Sequence, residues 1–221
     1  MNELLDTSAR GVAEGVRELA RAVVRALDDE APLEVETGSD DPVLLAAARV
    51  LGADVLAPST LSARAATEPE VALLIGAVRA FPPQEGSPTS QWTYWGARVA
   101  LGETRGGADE PDPGPVADVP WPRLAHQFAG LAALSTVVPS ALTAAAARRV
   151  EDLSRGFVRA VRRGDWPQAA GTGRWLAAVD GVPSSLGLDA GLEFVEMMGN
   201  ADARVALDVR VARILRRSRA R

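Results

Sequence analysis

The chain has 221 residues, 47% of them apolar, a formal net charge of −5 and no cysteine; that is enough to bury a core, as one large domain or two small ones, without disulfide staples. All 24 cationic side chains are Arg, and the single imidazole is His126. Thiol catalysis, lysine Schiff bases, a P-loop lysine, Cys-ligated zinc and a multi-histidine metal cage within one chain are therefore excluded.

Exclusive use of Arg, with heavy use of Ala, Gly and Val, is the codon signature of a high-GC bacterial genome. Residues 1–137 carry 10 Arg against 20 acids, and residues 138–221 carry 14 Arg against 9. Such an asymmetry marks either a basic surface for nucleic acid or an acidic partner, or two parts that attract one another. The first residues, MNELLDTSARG, lack an apolar h-region, so no secretory signal is expected and the chain reads as cytoplasmic. Residues 128–147 are uncharged over 20 positions, the length of a membrane span. Pro139 and four Ser and Thr residues favour two buried helices separated by a turn instead.

In chain order, the first helix is expected over 8–27, with Val12, Val16, Leu19, Val23 and Leu27 on one face. Gly11 and Gly15 allow a neighbouring helix to approach closely. Asp28-Asp29-Glu30 resembles the acid clusters that hold Mg²⁺ and diphosphate in isoprenoid enzymes. The partner motif fails, because after Glu151-Asp152-Leu153-Ser154 the following turn holds Phe157 and Val158 rather than an acid. The cluster reads as a solvated helix end.

Alternation over 33–37 suggests a short strand. Asp41-Pro42 caps a helix over 43–51 that Gly52 closes, and Asp54-Val55-Leu56 suggests a second strand. With no glycine-rich loop and no lysine, this strand–helix–strand pattern over 33–58 gives little support to a nucleotide fold. A helix over 68–81 is capped at Thr67 and stopped by Pro82-Pro83. Residues 92–103 are ambiguous between strand and helix, and small residues running to Gly106-Gly107 favour helix. The Pro-, Gly- and acid-rich stretch 106–120 reads as a linker or surface loop.

Helices follow over 121–134 and 140–163, the second with Leu142, Ala146, Val150, Leu153, Phe157 and Val161 on one face. Gly164 suits a left-handed C-terminal position, and Asp165 with Gln168 forms a capping pair for the next helix, which ends at Gly181 before Pro183. A helix over 185–198 carries Leu188, Leu192, Val195 and Met198 and closes at Gly199-Asn200. Over 201–217, Val205, Leu207, Val209 and Val211 alternate like a strand, whereas Leu207, Val211 and Ile214 fit a helix. Length and Ala and Arg content favour helix.

The expected fold is predominantly all-α: antiparallel helix pairs forming a bundle or short solenoid-like array, with minor β in the N-terminal half. The expected regions are 1–105, the linker 106–120, a helical region 121–217 and a basic tail 218–221. Gly164-Asp165-Trp166 with Ala169, Trp175, Ala178 and Pro183 resembles the helix-turn-helix of tetratricopeptide repeats. The match spans about 25 residues, with longer spacing and with Gly171 and Gly173 where that family prefers helix formers. The resemblance implies stacked antiparallel helices with a partner-binding concave face. No second copy occurs at a fixed period.

With no GxSxG elbow, the remaining chemistry is carboxylate acid–base work, Arg electrostatics or His126 as a general base. Trp92, Tyr94, Trp95, Arg98, Trp121, Arg123 and His126 are the candidate residues of an aromatic and cationic pocket for a small anionic or aromatic ligand. Alternatively the Trp residues fill core gaps and His126 is an ordinary helix residue. Arg210, Arg213, Arg216, Arg217, Arg219 and Arg221 could contact phosphates, but no aromatic residues interleave them. The leading expectation is a non-enzymatic interaction or scaffold protein that binds a protein partner or itself. A small-molecule binder or enzyme of specialised metabolism comes second and an Arg-rich nucleic-acid binder third. Neither a cofactor, a metal nor a membrane is expected.

Overall fold

Capping chemistry places the helix starts. The Asp41 carboxylate accepts from the Val43 N–H (2.9 Å), and Pro42 sits where no donor is needed. Ser87, Ser140 and Asp165 accept from main-chain N–H groups in the same way at three later starts. At Thr67 the cap is reciprocal, a capping box closed by Glu70. The computed structural model describes residues 2–35, 41–104 and 109–219, and among them there are helices and no strand. The helices are α1 (Asn2–Asp28), α2 (Pro42–Leu51), α3 (Ala57–Leu61), α4 (Glu68–Ala80), α5 (Pro88–Ala100) and α6 (Gly114–Ala117). They continue with α7 (Trp121–Gly130), α8 (Ala141–Arg148), α9 (Val150–Arg163), α10 (Trp166–Ala178), α11 (Leu188–Met198) and α12 (Ala203–Arg219). Three 3₁₀ turns, Gly52–Leu56, Ala132–Thr136 and Ser184–Leu186, join them.

Helix α10 lies at the centre of the C-terminal packing, and every residue from Ala169 to Ala177 is buried. It touches α7, α9, α11 and α12. The small residues that look wrong for a repeat make this possible. A Cβ on Gly171 would lie 2.6 Å from the Ala129 carbonyl oxygen and 2.8 Å from Ala129 Cα, so α7 can approach only a glycine. Across the same contact Trp175 Nε1 donates to the Phe128 carbonyl (2.7 Å), and the two rings meet edge to face at 5.0 Å. The α9–α10 turn is a Schellman motif. Gly164 takes φ +67°, the Asp165 N–H donates to Ala160 O (3.0 Å), and the Gly164 N–H donates to Val161 O (3.2 Å).

Helix α12 joins the two ends of the chain. Ala203, Leu207 and Val211 pack with the cluster built on α1, α2 and α4, while Val205, Val209 and Ala212 pack with the cluster around α10. The apolar clusters therefore do not follow the chain halves. Burial on two faces explains the strand-like alternation of Val205, Leu207, Val209 and Val211: each side chain faces one core or the other on a helix. Gly15 meets Val43 and Ala47 of α2, the close approach anticipated for the Gly11/Gly15 pair.

Several boundaries differ from expectation. The strand–helix–strand pattern over 33–58 is absent. Leu33–Val35 runs as irregular chain whose Leu33 N–H donates to the Glu70 carboxylate (2.9 Å) rather than to a neighbouring strand, and residues 36–37 lie outside the described residues. Asp54-Val55-Leu56 belongs to a 3₁₀ turn that continues from α2. The single helix expected over 140–163 breaks at Arg149 (φ −113°, ψ 26°) into α8 and α9. There the guanidinium donates to the carbonyls of Ala117 (2.8 Å) and Val119 (3.1 Å) and to Asp152 (2.7 Å). Within 106–120 the described residues include the turn α6, whose Val116 and Ala117 are buried and anchor an otherwise exposed or half-buried stretch; residues 106–108 lie outside the described residues, as do 220–221 of the basic tail. Residues 128–147 are divided among α7, a 3₁₀ turn, a cis Val138–Pro139 bond and α8. Among the described residues Pro42–Leu61 is long and apolar enough to cross a membrane by length and composition, and 61% of its apolar window is buried in the fold.

Candidate functional site

Helix α9 carries opposed faces. Leu153, Gly156, Phe157 and Ala160 are buried against α7 and α10. Ser154, Arg155, Val158, Arg159, Arg162 and Arg163 line the other side, spaced by the helical repeat along about 14 Å of helix. This face forms one wall of a groove of about 790 Å³; Trp121 at the start of α7 and Pro183, Ser185 and Leu186 of the loop after α10 also line it. The Arg159 guanidinium lies over the Trp121 ring, 5.5 Å from its centroid. Arg155 pairs with Asp152 (3.2 Å) and approaches Glu151 (3.7 Å). Among the described residues, Arg159, Arg162 and Arg163 have no carboxylate partner.

The arginines of α12 are arranged differently. Arg210 pairs with Asp28 (2.8 Å), Arg213 with Glu196 (2.7 Å), Arg216 with Asp189 (2.9 Å) and Arg219 with Asp180. The Arg216 hydrogen bonds hold the Asp189 carboxyl below its ordinary value. Much of the basic character of the C-terminal run is thus met by acids of the same chain, whereas the arginines at the end of α9 meet no carboxylate among the described residues.

A second polar centre lies inside the molecule. Arg174 of α10 is fully buried, and its Nη1 and Nη2 donate to both oxygens of Asp54 (2.8 and 2.6 Å). Nη1 also donates to Asp208 Oδ1 (3.0 Å), and Nε donates to Ser135 Oγ (2.9 Å). Two carboxylates share one guanidinium, with Asp54 holding the bidentate position. Burial pushes the Asp208 carboxyl up to about 6; Arg174 opposes this shift and the neighbouring Asp54 carboxylate adds to it. Burial lowers the Arg174 pKa, but Asp54 and Asp208 outweigh it and raise the net value. Each guanidinium nitrogen donates to a partner inside the protein, so this cluster ties the Gly52–Leu56 turn, the Ala132–Thr136 turn, α10 and α12 together.

The residues singled out from sequence do not converge on one cavity. Trp92 and Trp95 are buried, pack edge to face at 5.2 Å and belong to the core, with neither indole N–H bonded within the protein. Tyr94 lies under the Arg49 guanidinium (5.5 Å), and Arg98 approaches Glu103 (3.4 Å). Arg123 is exposed. His126 is exposed on a different depression of about 570 Å³, lined also by Arg49, Thr93, Gln127 and Arg204. Trp121 alone of the seven lines the α9 groove. The reason is helical phase: Trp121 and His126 are five residues apart on α7, too far round the helix to share a face.

The α9 arginines had a legible signal, since 155, 159, 162 and 163 repeat at helical spacing opposite Leu153 and Phe157. Arg174 also had a signal, as one charge within Ala169–Ala177, an otherwise small and apolar run. Its partners had none, because Asp54 is 120 positions away in sequence. Among the described residues no three His, Asp or Glu side chains converge to hold a metal ion. The chain matches no protein-family model, no curated protein and no solved structure.

Proposed function

We propose that the protein is a non-enzymatic helical interaction module that docks an acidic segment of a protein partner in the α9 groove. The observation that carries this reading is the row of Arg159, Arg162 and Arg163, without carboxylate partners among the described residues, beside the apolar surface of Trp121, Val158 and Leu186. Guanidinium forks recognise carboxylates bidentately, and an adjoining apolar strip gives an amphipathic segment something to bury. Val158 is 42% exposed at the middle of the groove, suited to such a contact. The whole chain is acidic and four arginines of α12, Arg210, Arg213, Arg216 and Arg219, pair with carboxylates, which disfavours the nucleic-acid alternative. The small-molecule alternative loses support because its seven residues are dispersed.

The test compares capture from a native lysate by the wild-type chain, by a variant with Arg159, Arg162 and Arg163 changed to Ala, and by Arg213→Ala. A stoichiometric protein retained by the first and third but lost by the second, with affinity falling as salt rises, is the expected outcome. Equal retention by all three chains would remove α9 from the interface.

A further inference from the structure

We infer that the acidic segment docked at the α9 groove is α11 of a second copy of this chain, so that the protein pairs with itself about a two-fold axis; this rests on reading the groove as the surface for an acidic protein partner. The first ground is the chemistry of α11. It holds Asp189, Glu193 and Glu196 and no basic residue. Arg216 and Arg213 of α12 meet Asp189 and Glu196, whereas among the described residues Glu193 has no basic partner. Leu188, Leu192 and Val195 bury one side of the helix, which leaves Glu193 on an exposed face with Ala190, Phe194 and Met197. The last three fall at i, i+4 and i+7, the spacing with which an amphipathic helix enters a groove. From Ala190 to Met198 this face runs about 12 Å, close to the length of the α9 wall.

The second ground is that the two helices share one surface. A Cβ on Gly191 would lie 2.8 Å from Phe157 Cε1, and Trp166, just beyond α9, meets Phe194 edge to face at 5.9 Å. Of the six large apolar side chains exposed among the described residues, Val158, Phe194, Met197 and Met198 belong to α9 and α11, so they form a patch rather than a scatter. Helical phase orders this patch. On α11, Met198 and Phe194 lie within about 60° of Gly191, the residue against α9, and Glu193 lies about 160° round in the same sense. On α9, Val158 lies about 100° round from Phe157, Arg162 about 140° and Arg159 about 200°. The joint face therefore has an apolar middle, a basic margin on α9 and an acidic margin on α11. Such a face is complementary to itself. A two-fold axis along the apolar middle lays the basic margin of each copy on the acidic margin of the other, and every contact is made twice. A different acidic protein would have to bring its own cover for the methionines of α11; a second copy brings both. Methionine, unbranched and polarisable, suits a surface that packs only on association.

Sedimentation velocity of the full chain over a low- to high-micromolar concentration series reads the association. A monomer–dimer equilibrium is expected, weak because the face is only two helices wide and weaker still as salt rises. Glu193→Arg, Met197→Asp, and a variant with Arg159 and Arg162 both changed to Glu are each expected to raise the dissociation constant about tenfold or more. All four positions are exposed, so the fold tolerates the changes. Combining Glu193→Arg with the two Glu substitutions is expected to re-form the dimer, since opposite charges face one another again. Val50→Asp, at an exposed apolar residue of α2, is expected to change nothing. A chain that stays monomeric throughout overturns the second copy; the docking reading survives that result if capture from a lysate still depends on Arg159, Arg162 and Arg163. A dimer indifferent to Glu193→Arg and Met197→Asp overturns α11 as the occupant. Failure of the combined variant to re-form the dimer overturns the pairing of the two margins. Species that keep growing beyond the dimer overturn the two-fold arrangement in favour of a head-to-tail chain.

Discussion

Replacing Asp54 with Ala strips the buried Arg174 of its bidentate partner and leaves the guanidinium with Asp208 and Ser135 alone. Both groups of the lost pair are almost completely withdrawn from water, with side-chain exposures of 0% for Arg174 and 6% for Asp54. Breaking a buried ion pair from one side costs about 3–5 kcal/mol, since the remaining charge keeps its desolvation penalty. A surface pair of similar geometry gives the contrast. Arg216 and Asp189 also meet through two hydrogen bonds, at 3.0 and 2.9 Å, but are 42% and 71% exposed, so Asp189→Ala should cost roughly 0–1 kcal/mol. For a chain of this length the Asp54 change translates into a melting temperature lowered by about 6–20 °C. Urea unfolding read by circular dichroism gives the free energies, and Arg174→Met with the double variant completes a cycle whose coupling should exceed about 2 kcal/mol. Equal losses for Asp54→Ala and Asp189→Ala, or a coupling near zero, would refute the assignment of Arg174 as the tie between the four elements.

Three further outcomes follow from individual contacts. Burial opposes ionisation of Glu70, but hydrogen bonds from Arg64, Leu33 and Thr67 prevail and hold its pKa at about 2 against an ordinary 4.5, so it contributes stability above pH 4.5 that is lost as pH falls toward 2. Asp208, facing Arg174, Asp54 and Arg204, has the opposite sign: raised from 3.8 to about 6, it contributes stability below pH 3.8 that is lost as pH rises through 6. Each is worth roughly 3 kcal/mol. Urea midpoints across pH should show Asp208→Asn abolishing the decline between about pH 4 and 6, with the acid limb intact. Gly171→Ala sets a methyl group against the Ala129 main chain at 2.6–2.8 Å and should cost about 2 kcal/mol or more, although Ala favours a free helix; a stabilised variant would contradict the α7–α10 packing. Arg149→Ala removes the bonds to Ala117 and Val119, so hydrogen exchange should show faster opening of α6 with α10 unaffected, and unchanged protection there would contradict the anchor.

Local chemistry made much of the helical framework legible. Asp41-Pro42, Thr67 with Glu70, and Gly164-Asp165 mark helix ends through bonds made within a few residues, so short sequence windows contain the information. The failures have a common origin. Leu33–Val35 carries an alternating pattern, but its main chain is claimed by Glu70, 37 positions away from Leu33. At the helix break the Arg149 guanidinium is held by two carbonyls, those of Ala117 and Val119, 32 and 30 positions away. Of the pocket residues, Trp92 and Trp95 looked like recognition aromatics, yet their volume is spent on the core.

Sequence by itself determined the predominantly all-α class, several capped helix starts, and the exclusion of thiol and lysine chemistry. These depend on residue type and on helical phase, which are local. Tertiary structure decided which charges remain available. It paired four arginines of α12 with Asp28, Glu196, Asp189 and Asp180, buried Arg174 between Asp54 and Asp208, and, among the described residues, left Arg159, Arg162 and Arg163 without carboxylate partners at the groove. Charge is written in the chain, but its neutralisation is a property of distance, and distances between remote residues are set only when the helices pack.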